Sequence, residues 1–229
     1  MARSGTSGPS GVLADLLAPP TCMLCSRGRA HLCHECASEL RAPPPAALPT
    51  GLDHLVVLCA YEGAGSQLVL ALKRHNRRGA LPLLGAALAD AVGSTVMGAV
   101  GIPPIAERVA AVVTWAPTTP ARHRARGFDQ SRLLARSVAG SLGLPCRRLL
   151  RRRSREVTGA TRSERLGGVS FGVSVAAVGR VAGKVVLVDD VVTSGATMSA
   201  AASALRSAGA TSVTGVALAR TPPGAPRQP

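Results

Sequence analysis

An apolar, β-branched run that ends in two carboxylates and passes through a glycine into an alanine-rich stretch constrains this chain more than any other feature. The run is Val185–Val188; Asp189 and Asp190 follow, then Val191-Val192-Thr193-Ser194-Gly195-Ala196-Thr197, and the alanine-rich stretch opens at Met198. Its length and branching predict a strand buried on both faces of a parallel sheet. Met198–Ser207 predicts a helix. Thr193–Thr197 then lies between strand end and helix start, where open α/β sheets bind ligands. Free backbone N–H groups and the positive end of the helix dipole make Ser194–Thr197 an anion cradle, and Gly195 removes the Cβ that would block close approach. Two carboxylates beside a phosphate cradle suit a sugar phosphate, its phosphate in the loop and its cis-diol on Asp189 and Asp190. An acidic pair at the end of so apolar a strand serves no folding purpose. Other phosphate motifs fit worse: no Gly-x-Gly-x-x-Gly follows a strand, and Gly179–Lys184 lacks both the spacing and the Ser/Thr of a Walker loop.

Val185–Thr197 resembles the phosphoribosyl-pyrophosphate (PRPP) signature of type I phosphoribosyltransferases. That resemblance implies an α/β fold of the same type, a mostly parallel sheet with flanking helices. It also implies that Asp189 and Asp190 bind ribose, directly or through Mg²⁺, and that Thr193, Ser194, Gly195, Ala196 and Thr197 bind the 5′-phosphate. Purine-type members commonly carry Asp in the place of Thr193. With Thr193 the signature resembles the orotate type, and no general base can be nominated from this segment.

Cys22-x-x-Cys25 and Cys33-x-x-Cys36 form two knuckles separated by seven residues. Four thiolates so grouped match a tetrahedral structural zinc site, with a gap shorter than in a common zinc ribbon. Two disulfides or free thiols are the alternatives. Val12–Ala18 is too short for a secretory signal and is interrupted by Asp15, so a cytoplasmic, reducing setting is expected, which favours metal. Cys59 and Cys146 lack partners in sequence and read as small buried apolar residues.

Between these motifs lies Trp115-Ala-Pro-Thr-Thr-Pro-Ala-Arg122-His-Arg124-Ala-Arg126-Gly127-Phe128-Asp129-Gln130. Ala110–Thr114 predicts a strand, Ala116–Pro120 a proline-stiffened loop, and Ser131–Gly140 a helix. A four-cysteine knuckle, this Arg-x-x-x-Arg-Gly-Phe-x-Gln segment and the PRPP signature together resemble the ComF family, as do Tyr61-Glu62-Gly63, Leu72-Lys73 and Glu164-Arg165 before Phe171. The resemblance runs from about Thr21 to Arg220. It implies a phosphoribosyltransferase-like protein associated with DNA uptake in competence, with PRPP or a related sugar phosphate as ligand and competence-machinery proteins as partners.

Net charge is +15, and only Lys73 and Lys184 of the 27 basic residues are lysines. Such an excess favours polyanionic partners. Arg122, Arg124 and Arg126 follow a strand in the signature's own domain, so Arg122 and Arg126, with Lys73, are candidates for the pyrophosphate side; the arginine fork pairs well with phosphate oxygens. Arg147, Arg148, Arg151, Arg152, Arg153 and Arg155 form a second run, read either as a solvated basic loop or as a nucleic-acid contact. Tyr61, Trp115, Phe128 and Phe171 are too few for a row of stacking platforms. Single-stranded DNA would therefore be held by phosphate charge, with a steep salt dependence.

The layout expected is a disordered segment 1–20, a knuckle with a Pro-rich linker over 21–48, a phosphoribosyltransferase-like domain over 49–220, and a disordered tail over 221–229. Leu55–Tyr61, Phe171–Val178 and Val213–Ala219 predict further strands, and Gly65–Lys73 and Leu81–Val92 predict helices. No apolar run is long enough to span a bilayer. The segment that would choose a nitrogenous acceptor is not identifiable from sequence. Two functions remain: a Mg²⁺-dependent phosphoribosyltransferase, or a non-catalytic module that binds single-stranded DNA and keeps the phosphoribosyl site for regulation or structure.

Overall fold

A computed structural model describes residues 20–73, 79–97, 111–153, 169–174, 181 and 183–222. The expectations for residues 1–19, Arg155, Glu164–Arg165 and the tail from 223 fall outside these. The strand expected at Val185–Val188 is the middle of β5 (Gly183–Val192), which lies inside a four-stranded, wholly parallel sheet. Its neighbours are β6 (Ala210–Arg220) and β2 (Ala111–Trp115), with β1 (His54–Ala60) on the far side of β6, so the order is β1-β6-β5-β2. A short edge extends β2: the Val113 N–H donates to the Pro145 carbonyl and the Arg147 N–H to the Val113 carbonyl, each at 2.9 Å.

Both faces of β5 are covered, as its uninterrupted apolar run requires. Val186 and Val188 pack on one side with α2 (Gly63–Leu72), α3 (Leu81–Met97) and α5 (Gln130–Leu142), through Leu68, Leu84, Leu88, Leu134 and Val138. Val185 and Leu187 pack on the other with α6 (Ala196–Ser207), through Met198, Ala201, Ala202 and Leu205. Alternation of side chains along a strand produces the two sets. Among the described residues no helix is long and apolar enough to cross a membrane.

Two elements differ from the sequence reading. Pro120, expected to end the loop, instead opens a helix, α4 (Pro120–Arg126), for which the sequence reading assigned no element: the Thr119 side chain accepts from the Arg122 N–H, Pro120 lies in the first turn and Gly127 closes the helix at φ 72°. It buries no residue and so has no apolar period to announce it. Part of the second arginine run is also a strand: β3 (Leu150–Arg152) pairs antiparallel with β4 (Phe171–Val173), Arg152 opposite Phe171. The ribbon packs by Leu149, Leu150 and Phe171 into the α6 side of the core, and the Leu149 N–H donates to Thr114 Oγ1 at 3.3 Å.

The cysteine module carries a short helix, α1 (His34–Ser38). It docks by Met23, which joins the core of the sheet, and by His31, whose ring lies so close to Gly79 that a Cβ there would collide with it. The Pro-rich linker then runs along the carboxyl ends of the strands. Arg41 accepts from the Ala60 N–H at 2.9 Å, Arg220 Nη2 donates to the Ala47 carbonyl at 2.7 Å, and Pro49 packs against Gly195.

Candidate functional site

Asp189 and Asp190 close the buried part of β5 and alternate in direction. Asp189 is 8% exposed; its Oδ1 accepts from Ser131 Oγ and from the Asp190 N–H, both at 2.9 Å. Asp190 is half-buried, and its Oδ2 lies 3.8 Å from Lys73 Nζ at the end of α2. Burial, reinforced by the negative charge of Asp190, pushes the Asp189 carboxyl well above the usual carboxylate range, against the two hydrogen bonds that favour its ionised form. A carboxyl so placed gains from any cation or hydroxyl donor brought to it. Perturbed acids of this kind concentrate where ligands bind.

Beyond Asp190, Thr193 and Ser194 are exposed and Gly195 is buried. Gly195 stands at φ 78°, the left-handed region, and a Cβ on it would come within 3.0 Å of Pro49 Cγ. No side chain caps α6, so the N–H groups of its first turn are open to an anion at Ala196 and Thr197. The five residues of the expected phosphate loop thus stand together at one strand–helix junction.

Across the sheet edge, Asp129 holds the Trp115–Thr119 loop. Its Oδ2 accepts from Trp115 Nε1 at 3.2 Å and the Thr118 N–H at 3.3 Å, while Oδ1 caps α5 through the Arg132 N–H. One carboxylate therefore fixes both the loop and the helix that brings Ser131 to Asp189. Arg122 is exposed and Arg126 half-buried, both on α4. Lys73 is the pyrophosphate-side candidate that the fold brings into contact with the acidic pair.

Two further residues carry no role in the sequence reading. Gln130 is 5% exposed, and among the described residues neither Oε1 nor Nε2 has a partner. A buried amide left unpaired costs about 1–3 kcal/mol, so this side chain has hydrogen bonds to give to a ligand or water. Arg152 is half-buried on β3, its guanidinium 5.5 Å from the centroid of the Phe171 ring. Burial, and then the positive charge of Arg122, weaken its hold on the proton, while the negative charge of Asp189 opposes them. The signal for Arg152 was present: after buried Leu150 and exposed Arg151, a two-residue period returns Arg152 to the face of Leu150.

The four Sγ atoms of Cys22, Cys25, Cys33 and Cys36 all lie within 4.8 Å of one another, and those of Cys25 and Cys33 are 3.8 Å apart. None is in a disulfide. Burial would raise the Cys22 thiol, but the N–H groups of Cys25, Cys33 and Leu24 bring it down to about 6. Cys36 is pushed up, by hydrogen bonding to Cys33 first and burial second. Four sulfur donors in this compass suit zinc. Cys59 behaves as expected of a small core residue: it is fully buried, its Sγ is 3.3 Å from the Leu218 carbonyl, and burial pushes its thiol up to about 11. Cys146 is half-buried at the strand edge.

Residues 129–228 match the family model of the phosphoribosyl transferase domain. Over these residues the chain is similar to that domain, and its parallel sheet with flanking helices fits the type I phosphoribosyltransferase fold. The match takes in Ser131, the acidic pair, the phosphate loop and both strands of the ribbon; the cysteine module, β1 and β2 precede it. No curated protein matches the chain.

Proposed function

We propose that the chain binds PRPP, or a closely related sugar phosphate, together with Mg²⁺ at the carboxyl end of β5. The observation that carries this is the acidic pair beside an uncapped helix N-terminus, with Asp189 buried and Lys73 on Asp190. Asp189 and Asp190 take the ribose hydroxyls, directly or through Mg²⁺. Thr193, Ser194, Gly195, Ala196 and Thr197 take the 5′-phosphate, and Lys73, Arg122 and Arg126 are on hand for pyrophosphate. Bound Mg²⁺ would neutralise pyrophosphate charge. The residues here would orient C1 of the ribose, and the Trp115–Thr119 loop, held by Asp129, would line the pyrophosphate.

The four-cysteine module, the Arg-Gly-Phe segment and the signature support a protein of the ComF type acting in DNA uptake in the cytoplasm, alongside competence proteins. A second, non-catalytic reading has its own observation: Arg147, Arg148, Arg151 and Arg153 are all exposed around the ribbon. They make a basic surface suited to single-stranded DNA. Calorimetric titration of PRPP with Mg²⁺, against an Asp189→Asn/Asp190→Asn double variant, tests the site. Saturable binding lost in the folded variant supports it; equal affinity in both removes the assignment. DNA affinity that survives in the double variant and falls steeply with salt would support the second reading.

A further inference from the structure

The acidic pair lies on β5, but the side chain that orients it comes from another element. We propose that Ser131 is a positioning residue of the site: its hydroxyl holds Asp189 Oδ1 and leaves Oδ2 as the oxygen that meets a ribose hydroxyl or Mg²⁺. The inference rests on the reading of Asp189–Thr197 as a sugar-phosphate site and deepens it.

The hydrogen bonds carry it. Ser131 is 5% exposed and Asp189 8%, and Ser131 Oγ donates to Asp189 Oδ1 at 2.9 Å. The Asp190 N–H donates to the same oxygen, also at 2.9 Å. A carboxylate oxygen has room for about two donors, so Oδ1 is filled from within the protein. Among the described residues no other N–H or hydroxyl reaches the carboxylate, and Oδ2 is the oxygen left for a ligand. The last torsion of an aspartate is soft, and a single hydrogen bond from the neighbouring N–H leaves it free to swing. The hydroxyl is the second point that fixes it.

That hydroxyl is itself held rigidly. Asp129 caps α5 through the Arg132 N–H and ties the cap to Trp115 and Thr118. Leu134, Ala135, Val138 and Ala139 seat the helix in the core. Ser131 heads the stripe that continues through Ala135 and Ala139 at four-residue spacing, both of them buried. Packing alone would be met by alanine at its head; a buried hydroxyl is worth its desolvation only through the bond that it makes.

The bond also bears on charge. Burial first, and then Asp190, oppose ionisation of Asp189, while Ser131 and the Asp190 N–H favour it. The other charged groups nearby are committed elsewhere or act only at range. Lys73 lies on Asp190, the Asp129 carboxylate is turned to the Trp115 loop, and Arg132 is exposed over the Trp115 ring. Arg152 of the ribbon feels the charge of Asp189 without bonding to it, and Ala217, its neighbour on β6, is apolar. Losing the hydroxyl therefore moves ionisation of Asp189 to higher pH, and the carboxylate that a ligand needs becomes scarcer on the acid side.

The test is calorimetric titration of PRPP with Mg²⁺ into the full chain, at a series of pH values from acid to alkaline. Ser131→Ala should weaken binding about tenfold at neutral pH and move the midpoint of the affinity–pH curve up by about one unit. Ser131→Thr keeps a hydroxyl and should return to within about threefold of wild type, and Ser131→Cys, a weak donor of similar size, should fall between. A folded Ser131→Ala protein with wild-type affinity overturns the inference. So does a loss that is equal at every pH, since that marks a packing role, and so does a threonine variant no better than alanine. Should the alanine variant fail to fold, equal affinities in the threonine and cysteine variants overturn it. Wild-type protein that binds no PRPP defeats the sugar-phosphate reading first and the inference with it; wild-type binding that is lost in Asp189→Asn but untouched in Ser131→Ala defeats the inference alone.

Discussion

Asp189→Asn should make the ligand-free protein more stable while abolishing PRPP binding. Asp189 Oδ1 accepts from Ser131 Oγ and the Asp190 N–H at 2.9 Å, and an asparagine Oδ1 in that place keeps both bonds. What disappears is a charge that burial and Asp190 both oppose. Because the folded-state pKa is raised, this group's stabilising contribution is complete below its ordinary value of 3.8 and is lost as pH rises through the raised value. Asparagine does not titrate, so the variant avoids that loss. Substitutions that relieve a ligand site of this kind gain about 1–2 kcal/mol. For a chain of this size that corresponds to about 2–8 °C in Tm at neutral pH, shrinking toward zero below the ordinary carboxylate pKa. Thermal unfolding followed by circular dichroism across the acid-to-neutral range, ligand-free, measures it. A Tm that falls at neutral pH, or a gain that does not depend on pH, would refute the account of Asp189.

Three further outcomes are expected. Gly195→Ala, placed at φ 78° and 3.0 Å from Pro49 Cγ, should cost about 1–2 kcal/mol and weaken PRPP binding; unchanged melting and affinity would show that the loop does not depend on this approach. Asp53 is held below its ordinary 3.8 by the Val213 N–H, Arg206 and Ser212, against the effect of burial, and its stabilisation is present above that pH and lost as pH falls through the lowered value. Its carboxylate is over a third exposed, so Asp53→Asn should cost no more than about 1 kcal/mol at neutral pH and less in acid, as read from urea melts. Metal analysis under reducing conditions should find about one zinc per chain, released by chelation with faster hydrogen exchange over residues 21–40; purified protein without metal would defeat this.

Much of the site was legible because its chemistry is local. A β-branched run, two aspartates, a hydroxyl loop with glycine and an alanine-rich helix are contiguous, and each is recognised by its own period or conformational need. The Cys22–Cys36 cluster is likewise local, since chain spacing alone keeps the thiols close. The helix over Pro120–Arg126 escaped because it buries nothing, although Thr119, Pro120 and Gly127 mark its ends. Arg152 was hidden in a run whose composition suggests a solvated loop.

By itself the sequence determined the parallel α/β class, the strand–loop–helix junction and the cysteine grouping, all set by interactions between residues near in the chain. Only the tertiary structure decided which distant residues serve that junction. Packing of α5 on the sheet brings Ser131 to Asp189 across 58 residues, α2 carries Lys73 to Asp190, and the linker lays Pro49 against Gly195. The pairing of β3 with β4 turns one arginine of a basic run inward. Those placements follow from which apolar faces bury one another, and burial is a property of the assembled layers that no short stretch of chain contains.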